Sequence, residues 1–292
     1  MDKETELAII RRAFARQVTA AVGVADPRVI DAFAAVPREA YLGPGPWQIL
    51  RWGRAYQPTP SADPAYLYTD DLVGIVPERQ LNNGQPQLHA ALIAAAPPRE
   101  GDHVVHIGAG LGYYTAILAE LAGLTGRVTA IELDPDLAAR AAANFAGRPN
   151  VQVVAGDGTT VAFDSADVIY VNAGATHPVD AWLDRLADGG RMILPLTAHG
   201  DFTPGLPLDP TQLALRGAVF RIERRGTDFL ARGVSGVAIF PCQGGRDEAS
   251  MVVLAAAFDK GGWQNVRRLY RRDDLPPERC WVQAPGWCLA YD

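Results

Sequence analysis

The residues with the plainest chemical purpose are Gly108, Gly110 and Gly112 in the stretch VVHIGAGLGYYT, where a β-branched run enters and a helical run leaves. Glycines belong where backbone must pass close beneath a ligand and turn into a helix whose first N–H groups face it. Glu132 ends the next β-branched run 20 residues after Gly112, the position from which a carboxylate accepts hydrogen bonds from ribose hydroxyls. A third run leads to Asp157 and Gly158, and a fourth, DVIYVNAG, to Asn172. Taken singly, Glu132 reads first as a solvated strand end and Asp157 as a turn former before Gly158; taken in order, the set reads as a nucleotide site. The spacing is GxGxG followed by Tyr113, which disfavours NAD, whose pyrophosphate goes with a third glycine in GxGxxG.

These residues need a scaffold that alternates strands and helices. From DHVVHIG to RMILPL, short β-branched runs alternate with alanine-rich helical runs, including GYYTAILAELAG, PDLAARAAANFAG and VDAWLDRLADGG. That alternation specifies an α/β fold with a doubly wound, mostly parallel sheet. Upstream, two amphipathic helices are expected before Pro37, then an irregular loop over residues 43–80 with a short strand at DLVGIV. Downstream of a proline-rich link, HGDFTPGLPLDP, the pattern turns to hairpins broken at Arg225-Gly226 and Gly233, then to a late helix carrying Arg267, Arg268, Arg271 and Arg272 as a solvated face. The expected organisation is an N-terminal helical segment with a substrate-side loop over 1–80, a cofactor-binding core over 81–200, and a partly β C-terminal extension over 201–292.

The glycine loop, ribose acid and following Gly-Asp resemble the signature of S-adenosylmethionine-dependent methyltransferases. The resemblance implies that cofactor, held by Gly108, Gly110, Gly112, Glu132, Asp157, Gly158 and Asn172, with Asp157 beside the adenine amino group. His106 departs from it, standing where that family usually has an acid. The segments DPRVIDAFAAVPREAYLGP, GDHVVHIGAGLGYYTAILAEL, GDGT and DVIYVNAGATHPVDAWLDRLADGGRMILPL follow one another as in protein L-isoaspartate O-methyltransferases. This closer resemblance covers roughly residues 26–200 and implies a Rossmann-like fold and methylation of a carboxylate on a peptide or protein. Where that family carries a substrate-side hydroxyl, alignment on Pro86 and His89 places Asn82, Asn83 and Gly84.

A carboxylate, with a reference pKa near ~4, is already ionised at neutral pH and needs no general base to attack a methyl sulfonium. Asn82 and Asn83 are candidates to donate amide hydrogen bonds to it, against the plainer reading of Asn83-Gly84 as a turn and helix cap. His89, one turn into the helix that begins near Pro86, faces either site or core. His177, in the loop after the fourth strand, is the better candidate to meet the acceptor, and either histidine would serve as base for an alcohol or amine. A small-molecule O- or N-methyltransferase and a non-catalytic S-adenosylmethionine-binding protein stay open beside the leading reading.

The totals exclude other classes. A net charge of −6 and a pI near 5.4 argue against nucleic acid as partner. No run approaches the roughly 20 apolar residues of a membrane span. The charged start MDKETELAIIRRAF lacks a secretory core, so a cytoplasmic location is expected. Cys242, Cys280 and Cys288, without CxxC spacing, are expected to be free thiols, and no metal site is expected.

Overall fold

The computed structural model describes residues 2–51, 55–198 and 216–292. In chain order these form α1 (Lys3–Ala20), α2 (Pro27–Ala35), β1 (Gln48–Leu50), β2 (Gln57–Pro58), β3 (Leu72–Val76), β4 (Leu81–Asn82), α3 (Pro86–Ala95), β5 (His103–Ile107), α4 (Tyr113–Ala122), β6 (Arg127–Glu132), α5 (Pro135–Asn144) and β7 (Val151–Ala155). They continue with β8 (Ala166–Val171), α6 (Asp180–Arg185), β9 (Leu186–Thr197), β10 (Gly217–Arg225), β11 (Asp228–Gly236), α7 (Glu248–Lys260), β12 (Arg268–Tyr270), β13 (Cys280–Ala284) and β14 (Trp287–Ala290). The chain divides into two compact units, one of residues 1–102 with 109–155, the other of residues 103–108 with 156–292. The expected HGDFTPGLPLDP link falls outside the described residues.

The first unit is built on capped helices. Asp2 accepts from Thr5 N at the start of α1, and Asp26 from Arg28 N at the start of α2, which has Pro27 in its first turn. α1 packs on α2 and α3, and α2 on α4. α4 is buried on every side but Glu120, which is why its sequence is apolar all round rather than striped. β6 and β7 pair in parallel, with Glu132 opposite Ala155. The segment expected as irregular loop is more ordered than that: β2, β1, β3 and β4 form a small antiparallel sheet in that order, and β3 is the anticipated DLVGIV strand. Strands of two to five residues are too short to show alternation in sequence, and six prolines hide them further.

The second unit is one sheet with neighbours in the order β13-β14-β12-β11-β10-β9-β8-β5. β5, β8 and β9 are parallel, and the pairs from β9 outward are antiparallel. The anticipated hairpin at Arg225-Gly226 is the β10–β11 turn, with Gly226 at φ +59°. Gly233, by contrast, breaks no strand and lies inside β11 opposite Phe220. Three further expectations need correction. The helix read over VDAWLDRLADGG stops at Arg185, because Leu186 already pairs with Ala166 in the sheet. The arginine run is not on a helix: Arg268 lies in β12, and Arg271 pairs with Asp180 at 2.7 Å and also with Asp184. Gly261 and Gly262, both at positive φ, end α7 upstream of it. Cys280 and Cys288 are joined by a disulfide between neighbouring strands β13 and β14, and only Cys242 is free. Its thiol is pushed up to about 11 by burial.

β5 reads HVVHI and is buried along its whole length, as expected of a parallel strand covered on both faces. His106 is fully buried there and pushed down to about 3 by desolvation. Below the ordinary histidine pKa near ~6.5 the unfolded chain takes up a proton that the folded chain refuses, so stability is lost as pH falls from there toward the folded value. His106 alone should remove about 2 kcal/mol between pH 7 and pH 5. Urea midpoints at the two pH values measure this loss, and the uncharged His106→Asn should lose less; equal losses in both proteins would show that His106 is not the cause.

Candidate active site

Glu132 ends β6 with its side chain almost wholly buried, 9 % exposed. Its Oε2 accepts from Gly110 N at 2.7 Å and its Oε1 from Asp134 N at 3.0 Å. The acid therefore clamps the glycine turn, and each oxygen keeps a second lone-pair site for a further donor. Gly110 and Gly112 sit at φ +56° and +96°, and a Cβ on Gly112 would stand 2.4 Å from Phe145 Cε2. Both the backbone sign and the close approach of the ring require glycine there. Asp134, next along, caps α5 through Asp136 N and Leu137 N, and pairs with Arg79.

The same unit carries Asn82 and Asn83. Asn82 is used locally: its Oδ1 accepts from Gly84 N at 2.9 Å and its Nδ2 donates to Gln80 O at 3.2 Å. Asn83 Oδ1 accepts from Val73 N at 3.1 Å and from Arg38 at 3.5 Å. These two donors fix which end of the amide is oxygen, and leave Nδ2 buried with no hydrogen-bond partner among the described residues. Neither side chain caps α3. Asp70 does so instead, accepting from Gln87 N at 2.7 Å and from Gln85 Nε2 at 2.6 Å, and its carboxyl is held above the usual range by desolvation.

Arg38 organises this region and carried no sequence signal, since an arginine between two helices reads as surface. It is fully buried. Its guanidinium donates to Leu67 O, to Thr69 O at 2.9 Å, to Asp71 O at 3.4 Å and to Asn83 Oδ1, and lies 5.6 Å from the ring centroids of Phe14 and Tyr113. No carboxylate pairs with it among the described residues. A whole positive charge thus stands beside the Asn83 amide. His89 is in the interior, 1 % exposed, stacked on Tyr114 at 3.5 Å between centroids. A Cβ on Gly84 would meet its Nε2 at 2.2 Å, so the turn after Asn83 is fitted around that ring.

The second unit gathers the remaining candidates at the carboxyl ends of β5 and β8, where parallel sheets bind ligands. Asn172 donates from its backbone N to Ile107 O at 2.8 Å and from Nδ2 to Gly108 O at 3.2 Å, tying the two strand ends. Gly158 lies under Ile107, where a Cβ would come within 2.4 Å, and its carbonyl accepts from Trp182 Nε1 at 2.8 Å. Asp157 Oδ1 accepts from Thr159 N at 2.9 Å and Thr159 Oγ1 at 2.8 Å, which leaves Oδ2 as a half-buried acceptor. His177 Nδ1 lies 3.0 Å from Asp247 Oδ2. Asp247 was missed in sequence, though Asp247 before a Glu-Ala-Ser start and Gly261 after the apolar run are the cap signals of α7.

A sequence profile of the protein-L-isoaspartate(D-aspartate) O-methyltransferase family matches residues 11–203. A protein-L-isoaspartate O-methyltransferase of Rhodopseudomonas palustris (strain HaA2) is 38% identical over 201 residues, 68% of this chain and 73% of that protein. One of Methanoregula boonei is 31% identical over 83% of this chain and 90% of its own length. Among solved structures, a protein-L-isoaspartate O-methyltransferase superposes with a TM-score of 0.62 at 23% identity, over 79% of this chain and 65% of that one. A putative Plasmodium falciparum homologue in complex with S-adenosyl-L-homocysteine gives 0.58 at 17% identity, over 80% and 97%. The structural likeness establishes the Rossmann-like α/β fold, and the profile match, which spans more than half of the sequence, establishes that the chain belongs to the protein-L-isoaspartate O-methyltransferase family.

Proposed function

We propose that the chain transfers the methyl group of S-adenosylmethionine to a carboxylate oxygen of a peptide or protein. The family assignment supplies the reaction class, and the observation that carries the acceptor class is the buried, unpartnered Asn83 Nδ2 beside the buried Arg38 guanidinium, which makes no direct ion pair among the described residues. A donor and a positive charge in a site shielded from water favour an anion. When bound, S-adenosylmethionine supplies an electrophilic methyl group on a sulfonium.

The residues present fit that cofactor. Glu132 has lone pairs left for ribose hydroxyls after holding the glycine turn, and Asp157 Oδ2 is an acceptor suited to an exocyclic amine. Gly108, Gly110 and Gly112 keep side chains out of the turn, Gly158 closes under Ile107, and Asn172 ties Gly108 to the end of β8. The chain's work is to orient an ionised acceptor and exclude water, since the departing thioether is neutral and no proton has to move. Asn83 orients that acceptor, while Asn82 shapes the turn and His89 packs beneath it. Among the described residues no helix is long and apolar enough to cross a membrane. The proposed place of action is the cytoplasm, on peptide or protein acceptors.

The test incubates the enzyme with labelled S-adenosylmethionine and host lysate, then exposes the product to mild base. A carboxyl methyl ester releases its label as methanol, whereas ether and amine methyl groups keep it; stable label would overturn the carboxylate reading. Asn83→Asp sharpens the point. It keeps the oxygen that Val73 N and Arg38 need, so the fold should hold, but it replaces the donor with a negative charge. Ester formation should fall by at least about 100-fold, the effect of more than 2.7 kcal/mol of lost acceptor binding. Turnover within threefold of the wild type would remove Asn83 from the site.

A further inference from the structure

The turn from Cys242 to Asp247 lies beyond the residues matched by the family profile, yet it is laced to the loop that carries His177. Cys242 N donates to Gly174 O at 2.9 Å and Thr176 N to Gly245 O at 2.9 Å. The buried Thr176 hydroxyl accepts from Asp247 N at 2.8 Å and lies 3.4 Å from His177 Nδ1. Arg246 adds bonds to Gly174 O at 2.9 Å and Thr197 Oγ1 at 3.0 Å. The register between Asp247 and His177 is thus set by backbone, not by two mobile side chains meeting at a surface. The same turn brings Gly244 over the Asp157 carboxylate, so close that a Cβ would stand 2.1 Å from Oδ2.

Asp247 divides its oxygens. Oδ1 accepts from Ser250 N at 2.7 Å, capping α7, and Oδ2 faces His177 Nδ1. A carboxylate only accepts, so Nδ1 carries a proton, and in the neutral imidazole Nε2 presents its lone pair. Resting on the acceptor reading above, we propose that Asp247 is a positioning residue: it fixes the tautomer of His177, whose Nε2 then accepts a hydrogen bond from an amide N–H of the peptide acceptor. No proton is transferred. The contact orients the peptide and gives the C-terminal extension a part in choosing a peptide over a free carboxylic acid.

Asp247→Asn tests this without removing the cap, since asparagine caps as well as aspartate. Its single amide oxygen is taken by Ser250 N, so its NH2 is turned toward Nδ1 and drives the proton to Nε2. Nitrogen-15 NMR of the imidazole should show protonated Nδ1 in the wild type and protonated Nε2 in the variant. Turnover of a peptide acceptor should fall about tenfold or more with the Kd for S-adenosylmethionine and the Tm unchanged; His177→Ala should match it, and the double variant should add nothing further. A wild-type spectrum with the proton on Nε2, or wild-type turnover in Asp247→Asn, overturns the proposal. Failure of the wild type to form a base-labile ester would instead remove the acceptor reading beneath it, an outcome read in a separate assay.

Discussion

Replacing Arg38 by alanine should cost about 4 kcal/mol of folding free energy, measured as a fall in the urea midpoint at constant m. The guanidinium is the donor for the carbonyls of Leu67, Thr69 and Asp71 and for Asn83 Oδ1, all gathered from segments 29 to 45 residues away in sequence. Truncation removes the side-chain donor of the three carbonyls, while Asn83 Oδ1 keeps Val73 N. A domain of this kind holds only about 5–15 kcal/mol in total, so the variant should be folded but much closer to its limit of stability. Arg38→Lys should recover about half of the loss, because one ammonium reaches fewer carbonyls than a planar fork of five N–H groups. A loss below 1 kcal/mol for Arg38→Ala would mean that the buried charge costs as much as its bonds return.

Glu132→Ala should weaken S-adenosylmethionine binding about 100-fold by calorimetry, the equivalent of about 2.7 kcal/mol. Two effects combine. The ribose loses a charged acceptor, worth about 1.5–3 kcal/mol per hydrogen bond. The Gly110 N–H and Asp134 N–H also lose the carboxylate that holds the turn. Glu132→Gln should be nearly as damaging, although it is isosteric. Both oxygens of Glu132 face backbone donors, so whichever way the amide is placed, its NH2 confronts an N–H. An affinity within threefold of the wild type in either variant would take Glu132 out of the cofactor site.

Much of this was legible in the sequence because it depends on local pattern. The β-branched runs, the alanine-rich helices, the glycine turn and Glu132 at a strand end are short-range signals, and the parallel strands followed them. Arg38, Asp70 and the His177–Asp247 pair were not legible, since each joins segments far apart in the chain: 70 residues separate His177 from Asp247. The small antiparallel sheet escaped notice because its strands are too short for a period, and the disulfide because Cys280 and Cys288 meet only when β13 and β14 pair. The asparagines show the middle case. Their position made both candidates to meet the acceptor, but only the hydrogen bonds of Asn83 Oδ1 distinguish the amide with an unused donor from the one spent on the turn.

β9 has a further consequence for how the molecule is partitioned. One side of this 12-residue strand completes the parallel layer with β8, and the other begins the antiparallel layer with β10, from Gly217 against Thr197 to Glu223 against Arg191. The extension is therefore hydrogen-bonded into the sheet rather than tethered to it. A chain cut where the family match ends would present a long row of unpaired N–H and C=O groups flanked by Met192, Ile193, Leu194 and Leu196, all buried in the intact sheet. An open apolar edge of that kind recruits other strands. The extension guards the edge of the core, and shortening the protein to the residues matched by the family profile would trade a folded chain for a self-associating one.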